Sequence, residues 1–209
     1  YQFATKKLTA VHFEHHDADK PKLFVSQLEV EQLPPDVQAM IAESVIDTPD
    51  RLPGEVTDVD ALAAYFVRPW APPKRSVVEA VNQHSQYAAW TLLHGNRVNH
   101  FTAFINHQKV PDLPDLPSTV DALKAAGVPM KDKIEGEPGS KLRQSSTQSV
   151  TQTVDVTEAD GSLGSLEWSY AYYELAERGK TPNESGENVE FKGFLGEQAT
   201  HLFDMTTHQ

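Results

Sequence analysis

Apolar and polar residues alternate at the start of the chain. Between residues 6 and 14, Leu8, Ala10 and His12 fall on one face and Val11 and Phe13 on the other, the period of two that a half-buried strand requires. After a turn at residues 17–21 (DADKP), the stretch LFVSQLEVEQL repeats the pattern, with Phe24, Ser26, Leu28 and Val30 sharing a face. Pro34-Pro35 ends that strand and opens a helix, in which Val37, Met40, Ile41 and Val45 recur at helical spacing. TPDRLPGE reads as loop. Thr57 with Asp60 and Ser76 with Glu79 have the form of capping boxes, before ALAAYFV and VVEAVNQHSQYAAWTLL respectively. The second of these helices places Val77, Val81, Ala88 and Leu92 near one stripe, so residues 34–94 are expected to be mostly helical.

Beyond Gly95 the period returns to two. The spacing predicts strands over VNHFTAFIN, 132–136, 141–155 with a break near Ser149, and 164–176. A helix, TVDALKAAG, begins at Ser118-Thr119 and stops at Gly127 and Pro129, and Asp160-Gly161 is a hairpin signal between the last two strands. A final helical segment is expected in GEQATHLFDMT, after the polar loop KTPNESGEN. Residues 97–176 then form one βαβββ unit, and the two N-terminal strands look like the last two of a second such unit. The expected fold class is α+β, with curved sheets. Within a single domain, residues 1–33 are a remnant of an N-terminal unit and 34–96 a helical insertion. Residues 97–178 are the C-terminal unit, and 179–209 a closing segment.

Composition narrows the partners. The formal net charge of −12 makes nucleic acid or an anionic membrane surface an unfavourable partner, since the phosphate interaction is repulsive. No run approaches the about 18 apolar residues of a membrane helix. The absence of cysteine excludes disulfides, thiolate metal sites and a cysteine nucleophile, and it suits a reducing cytoplasm. The sequence contains no HExxH helix, GxSxG elbow, Walker A loop or GxGxxG turn.

Of nine histidines, His15 and His16 adjoin an acidic turn, and His84, His94, His107, His201 and His208 fall on or near helix and element ends. Surface placement accounts for all of these. His100 differs: in VNHFTAF, Val98, His100, Thr102 and Phe104 point one way and Phe101, Ala103 and Ile105 the other, so both faces are apolar around it. It reads either as a core histidine with a satisfied hydrogen bond or as a ligand in a cleft. Glu174 ends the row Trp168, Tyr170, Tyr172, and a carboxylate there is either solvated at a strand end or bound to a cation. With His100 on the first strand of the unit and Glu174 on its last, the two can meet as part of a 2-His-1-carboxylate site, which suits non-haem iron. Arg143 in SKLRQSST could grip a substrate carboxylate bidentately, with Gln144 or Ser146 adding hydrogen bonds; an open sheet edge explains that polar stretch equally well. Glu177 and Arg178 read as a solvated pair past the strand.

The stretches ATKKLTAVHF, LFVSQLEVEQL, SQYAAWTLLHGNRVNHFT, KLRQSST, SYAYYELAERG and a looser GFLGEQATHLFDMT, in that order, resemble the 2-oxoadipate dioxygenase/decarboxylase (hydroxyglutarate synthase) family of the vicinal-oxygen-chelate superfamily. The resemblance implies an Fe(II) cofactor held by two histidines and one glutamate. The family's N-H motif falls on Asn99-His100, making His100 a metal ligand and Asn99 its orienting neighbour, and the strand-end glutamate falls on Glu174. The other histidine belongs to an HxxxR motif whose arginine helps hold substrate. His16 with Lys20 has that spacing but lies in a turn, so the resemblance places the motif upstream of Tyr1. The implied reaction converts 2-oxoadipate, a small 2-oxo dicarboxylic acid, to 2-hydroxyglutarate with O2 and loss of CO2, with Arg143 as an additional carboxylate contact. Two other readings remain open: a different metal-dependent enzyme on the same scaffold, such as a hydrolase or isomerase, and a non-catalytic small-molecule binding module.

Overall fold

Alternation at the N-terminus produces antiparallel strands β1 (Gln2–Ala4), β2 (Leu8–Phe13) and β3 (Leu23–Leu28), in the order β1-β2-β3. The computed structural model describes residues 2–4, 8–17, 20–49 and 58–191. Pairing of β2 with β3 runs from Leu8↔Leu28 to Phe13↔Leu23. Ala10 and His12 are buried, whereas Phe13, Leu23 and Val25 are exposed. β3 stops short of Val30, because Val30–Gln32 tightens into a 3-10 turn before the prolines.

The helical block then follows. It comprises α1 (Pro35–Val45), α2 (Val59–Ala63), α3 (Arg75–Asn82) and α4 (Gln86–His94). The Asp58 carboxylate caps α2 by accepting from the Ala61 amide at 2.7 Å; Thr57 lies outside the described residues. The long helix expected over VVEAVNQHSQYAAWTLL is two helices. Ser85 breaks it by accepting from the Ala88 amide at 3.2 Å, and its extended backbone starts α4 afresh. Ser76 lies inside α3 rather than capping it, since Lys74 occupies the cap position. Gly95 ends α4 at φ +68°, and a Cβ there would collide with the Arg68 backbone, so this turn admits glycine alone without rearrangement.

The chain divides into two compact units, residues 1–97 with 152–168 and residues 98–151 with 169–209. In the first, Leu33, Val37, Ile41, Val78, Val81 and Leu93 pack with Val154 and Val156. Burial of each such aliphatic side chain contributes roughly 1.5–3 kcal/mol. Arg75 reaches Glu158 through Nε and Nη2, and the Tyr87 hydroxyl bonds Ser26, tying helices to strands within this unit.

The second unit holds β4 (His100–Phe104), α5 (Leu116–Ala125) and β5 (Leu142–Ser146). β6 (Val150–Thr157) and β7 (Leu163–Arg178) form a hairpin with residues in both units, turning at Asp160-Gly161 with Gly161 at φ +81°. The expected break near Ser149 is the gap between β5 and β6. The sheet order is β4-β7-β5, with β4 parallel and β5 antiparallel to β7. No continuous strand forms over 132–136. Instead, Glu135 makes an isolated bridge with Gln144 of β5, and Met130 just before the stretch makes another with Thr147 just past β5. The stretch occupies a fourth strand's place, so the βαβββ order stands and the protein is α+β with open, curved sheets. α5 begins at Leu116, earlier than Ser118-Thr119, because Asp115 and Ser118 cap it reciprocally. Its Leu116 and Val120 pack with Ile105, Met130 and Leu175 on one face of the sheet.

The polar stretch after β7 is not plain loop: β8 (Lys180–Pro182) and β9 (Asn188–Glu190) pair antiparallel. The helix expected in GEQATHLFDMT lies outside the described residues. Among the described residues no helix is long and apolar enough to cross a membrane.

Candidate active site

Register decides which side chains meet. β4 pairs with β7 as His100↔Tyr172 and Thr102↔Glu174, and β5 pairs with β7 as Gln144↔Ala176 and Ser146↔Glu174. Residues opposite one another project to the same side, so His100, Thr102, Tyr172, Glu174, Gln144 and Ser146 share one face. Glu174 is two positions along the strand adjacent to His100. Strand rise and spacing put their Cα atoms about 8 Å apart, within reach of a common ion.

The imidazole of His100 is constrained from two sides. Asn99 Oδ1 lies 2.8 Å from Nδ1, and the Tyr172 ring stacks on it with centroids 4.8 Å apart and planes 8° from parallel. Because the Asn99 oxygen only accepts, Nδ1 carries the proton and Nε2 keeps its lone pair. Burial pushes the His100 pKa down to about 4, which keeps the ring neutral. Glu174 accepts from the Thr102 hydroxyl at 3.2 Å. Its pKa is pushed up to about 7, chiefly by burial and then by the Glu135 carboxylate, against the opposing effects of Thr102 and Arg178. Glu135 in turn accepts from Gln144 Nε2 at 2.8 Å. The Tyr172 hydroxyl is buried and has no hydrogen-bond partner among the described residues.

These features fit a divalent cation. A neutral imidazole with an available Nε2 and a carboxylate whose pKa burial pushes up to about 7 are donors such an ion takes, and the Asn99 bond is the usual orienting contact behind a ligating histidine. Among the described residues no group of three or more histidine, aspartate and glutamate side chains could hold a metal ion. His100 and Glu174, on neighbouring strands and one face, are the two side chains there that could hold such an ion.

Arg143 is elsewhere. Its position alternates with Gln144, so it projects to the opposite face of the sheet, where Nη1 donates to Glu177 at 3.0 Å. Glu177 also accepts from the Leu116 amide at 3.4 Å. The expected substrate grip by Arg143 together with Gln144 and Ser146 thus splits: Gln144 and Ser146 lie on the His100 face, and Arg143 does not. Nor are Glu177 and Arg178 a solvated pair. Both belong to β7, and Arg178 projects to the His100 side, its guanidinium over the Phe104 ring at 5.7 Å and donating to the Phe191 carbonyl at 3.0 Å. Arg178 and Glu135 are site-face residues that the sequence reading lacks, although period-two counting from Glu174 picks out Arg178; Thr102 stands on the expected face, and its bond to Glu174 is what the structure adds.

Among the other histidines, His15, His16, His84 and His107 are exposed as expected. His94 is not: it is 1% exposed, packed against Trp90 with ring centroids 4.9 Å apart. His201 and His208 lie outside the described residues.

A family model described as 2-oxoadipate dioxygenase/decarboxylase matches residues 1–201. The chain belongs to this family. It is 28% identical over 228 residues to the chloroplastic/amyloplastic 2-oxoadipate dioxygenase/decarboxylase of Oryza sativa subsp. japonica, an alignment covering 99% of this chain and 60% of the rice protein. The chain thus spans about 60% of that relative's length. Among solved structures it is similar to the Oryza sativa hydroxyglutarate synthase in complex with 2-oxoadipate. That match has a TM-score of 0.75 and 25% identity, over 99% of this chain and 70% of the rice chain. It is also similar to a candidate hydrolase from Shewanella frigidimarina NCIMB 400, with a TM-score of 0.74 and 34% identity, over 93% of this chain and 71% of that one.

Proposed function

We propose that this protein is an Fe(II)-dependent dioxygenase/decarboxylase converting 2-oxoadipate to 2-hydroxyglutarate, with O2 consumed and CO2 released, in the cytoplasm. The observation that carries the reading is the placement of His100 and Glu174 on neighbouring strands and one shared face, with the imidazole neutral and Nε2 bearing the lone pair. Family membership and the likeness to a synthase that holds 2-oxoadipate supply the substrate class. When bound, the iron supplies a Lewis-acidic, redox-active centre with positions open to oxygen donors.

The remaining work falls to the protein. Asn99 holds the proton on Nδ1 and so presents Nε2 outward. Thr102 fixes one oxygen of Glu174. Gln144 ties down Glu135, which keeps a second carboxylate from swinging freely beside the site. Arg178, on the site's own face, replaces Arg143 as the cation offered to a substrate carboxylate, and Ser146 adds a hydroxyl opposite Glu174. The test is oxygen uptake and CO2 release by the full-length protein, loaded with Fe(II) and supplied with 2-oxoadipate. Stoichiometric consumption of both substrates is expected, and loaded protein that consumes no oxygen would remove the proposal.

A further inference from the structure

We propose that Tyr172 is the positioning residue of His100, a clamp that sets the plane of the imidazole before any metal arrives. Two contacts from this one residue meet the Asn99-His100 pair. The Tyr172 amide donates to the Asn99 carbonyl at 3.1 Å, and the Tyr172 ring lies over the imidazole at 4.8 Å and 8°. The Asn99 side chain fixes the ring's tautomer through Nδ1, but one hydrogen bond along an edge leaves rotation about that bond unopposed. A stacked aromatic surface opposes it. Tyr172 is itself immobilised: it is 5% exposed, sits in the middle of the 16-residue β7, and is paired with His100 of β4. Plane and tautomer together define the direction of the Nε2 lone pair, and a ligand held in that direction loses little freedom on coordination.

The consequence for metal affinity rests on the reading of His100 as a ligand, whereas the clamp itself does not. The experiment separates the two. In metal-free protein labelled at histidine, the His100 ring protons should resonate upfield of those of the exposed histidines, and the ring nitrogens should report a single Nδ1–H tautomer. Tyr172→Phe should preserve both signatures and the wild-type Kd for Co(II). Tyr172→Leu should lose the upfield shift and weaken Co(II) binding by about tenfold, the lower end of what loss of an orienting contact costs. A residue that merely fills space would change the melting temperature of Tyr172→Leu without changing the Kd of the folded fraction. Should the leucine variant fail to fold, Tyr172→Met supplies the same comparison, and the wild-type shift needs no variant. An unshifted His100 in the wild type, or a folded leucine variant with wild-type Kd, overturns the clamp. If the wild type binds no Co(II) while the shift and tautomer are as stated, the ligand reading fails and the clamp survives.

Discussion

The two faces of the β4-β7-β5 sheet are built from alternate residues of the same strands, yet they are finished in opposite ways. On the helix side, Ala103, Ile105 and Leu175 meet Leu116 and Val120, and the charged groups there, Arg143 and Glu177, neutralise each other. On the other side, Glu174 has a pKa pushed up to about 7, a buried tyrosine hydroxyl has no partner among the described residues, and Glu135 adds a like charge. Each face keeps one buried polar atom without a hydrogen-bond partner among the described residues, Arg143 Nε on the first and the Tyr172 hydroxyl on the second, but only the first face pairs its carboxylate with a cation at salt-bridge distance. Buried charges are normally paired, so the imbalance itself marks the site.

The comparison can be broken by substitution. The largest effect is expected from His100→Ala and Glu174→Ala, each of which should abolish stoichiometric Fe(II) binding and 2-oxoadipate-dependent oxygen uptake, as metal analysis and an oxygen electrode would show. Both variants should still unfold cooperatively in urea, since neither side chain is among the residues packed under α5. Leu175→Ala, one residue along, should do the reverse and cost about 3 kcal/mol in urea unfolding while leaving the metal Kd unchanged. Arg143→Met should cost about 2 kcal/mol, since Glu177 is left partly buried without its cation. Its KM for 2-oxoadipate should stay at the wild-type value, and a large rise in KM would return Arg143 to the substrate. Thr102→Val keeps the shape but removes the hydroxyl on Glu174; titration should show metal affinity falling about tenfold. Tyr172→Phe is the mildest: removing an unbonded buried hydroxyl should raise the metal-free melting temperature, by about 1 kcal/mol of stability or less.

Much of this was legible in the chain. Asn99-His100 and Glu174 interrupt otherwise apolar strand faces, and a local pattern shows its own exceptions. The α5 region, the hairpin at Asp160-Gly161 and the break before β6 were visible for the same reason: turn and cap residues act on neighbours within a few positions. The failures lie where the deciding partner is distant or the competition close. Ser76 resembled the start of one long helix, but the capping that formed is at Ser85 and splits that helix in two. His94 near a helix end looked like a surface residue, but Trp90 one turn earlier packs against it inside the core. Arg143 was the instructive case. Alternation alone sets it against Gln144, but that its counter-ion is Glu177, 34 residues away, follows only from the pairing of β5 with β7.

By itself, then, the sequence determined the periods, the order of elements in the βαβββ unit, and the two side chains suited to a metal. Only the tertiary structure decided that they meet. A one-residue slip of β4 along β7 would leave every strand intact and send His100 to the face opposite Glu174, because side chains alternate with a period of two. The pairing of His100 with Tyr172 and of Thr102 with Glu174 excludes that slip and puts the two residues on one face.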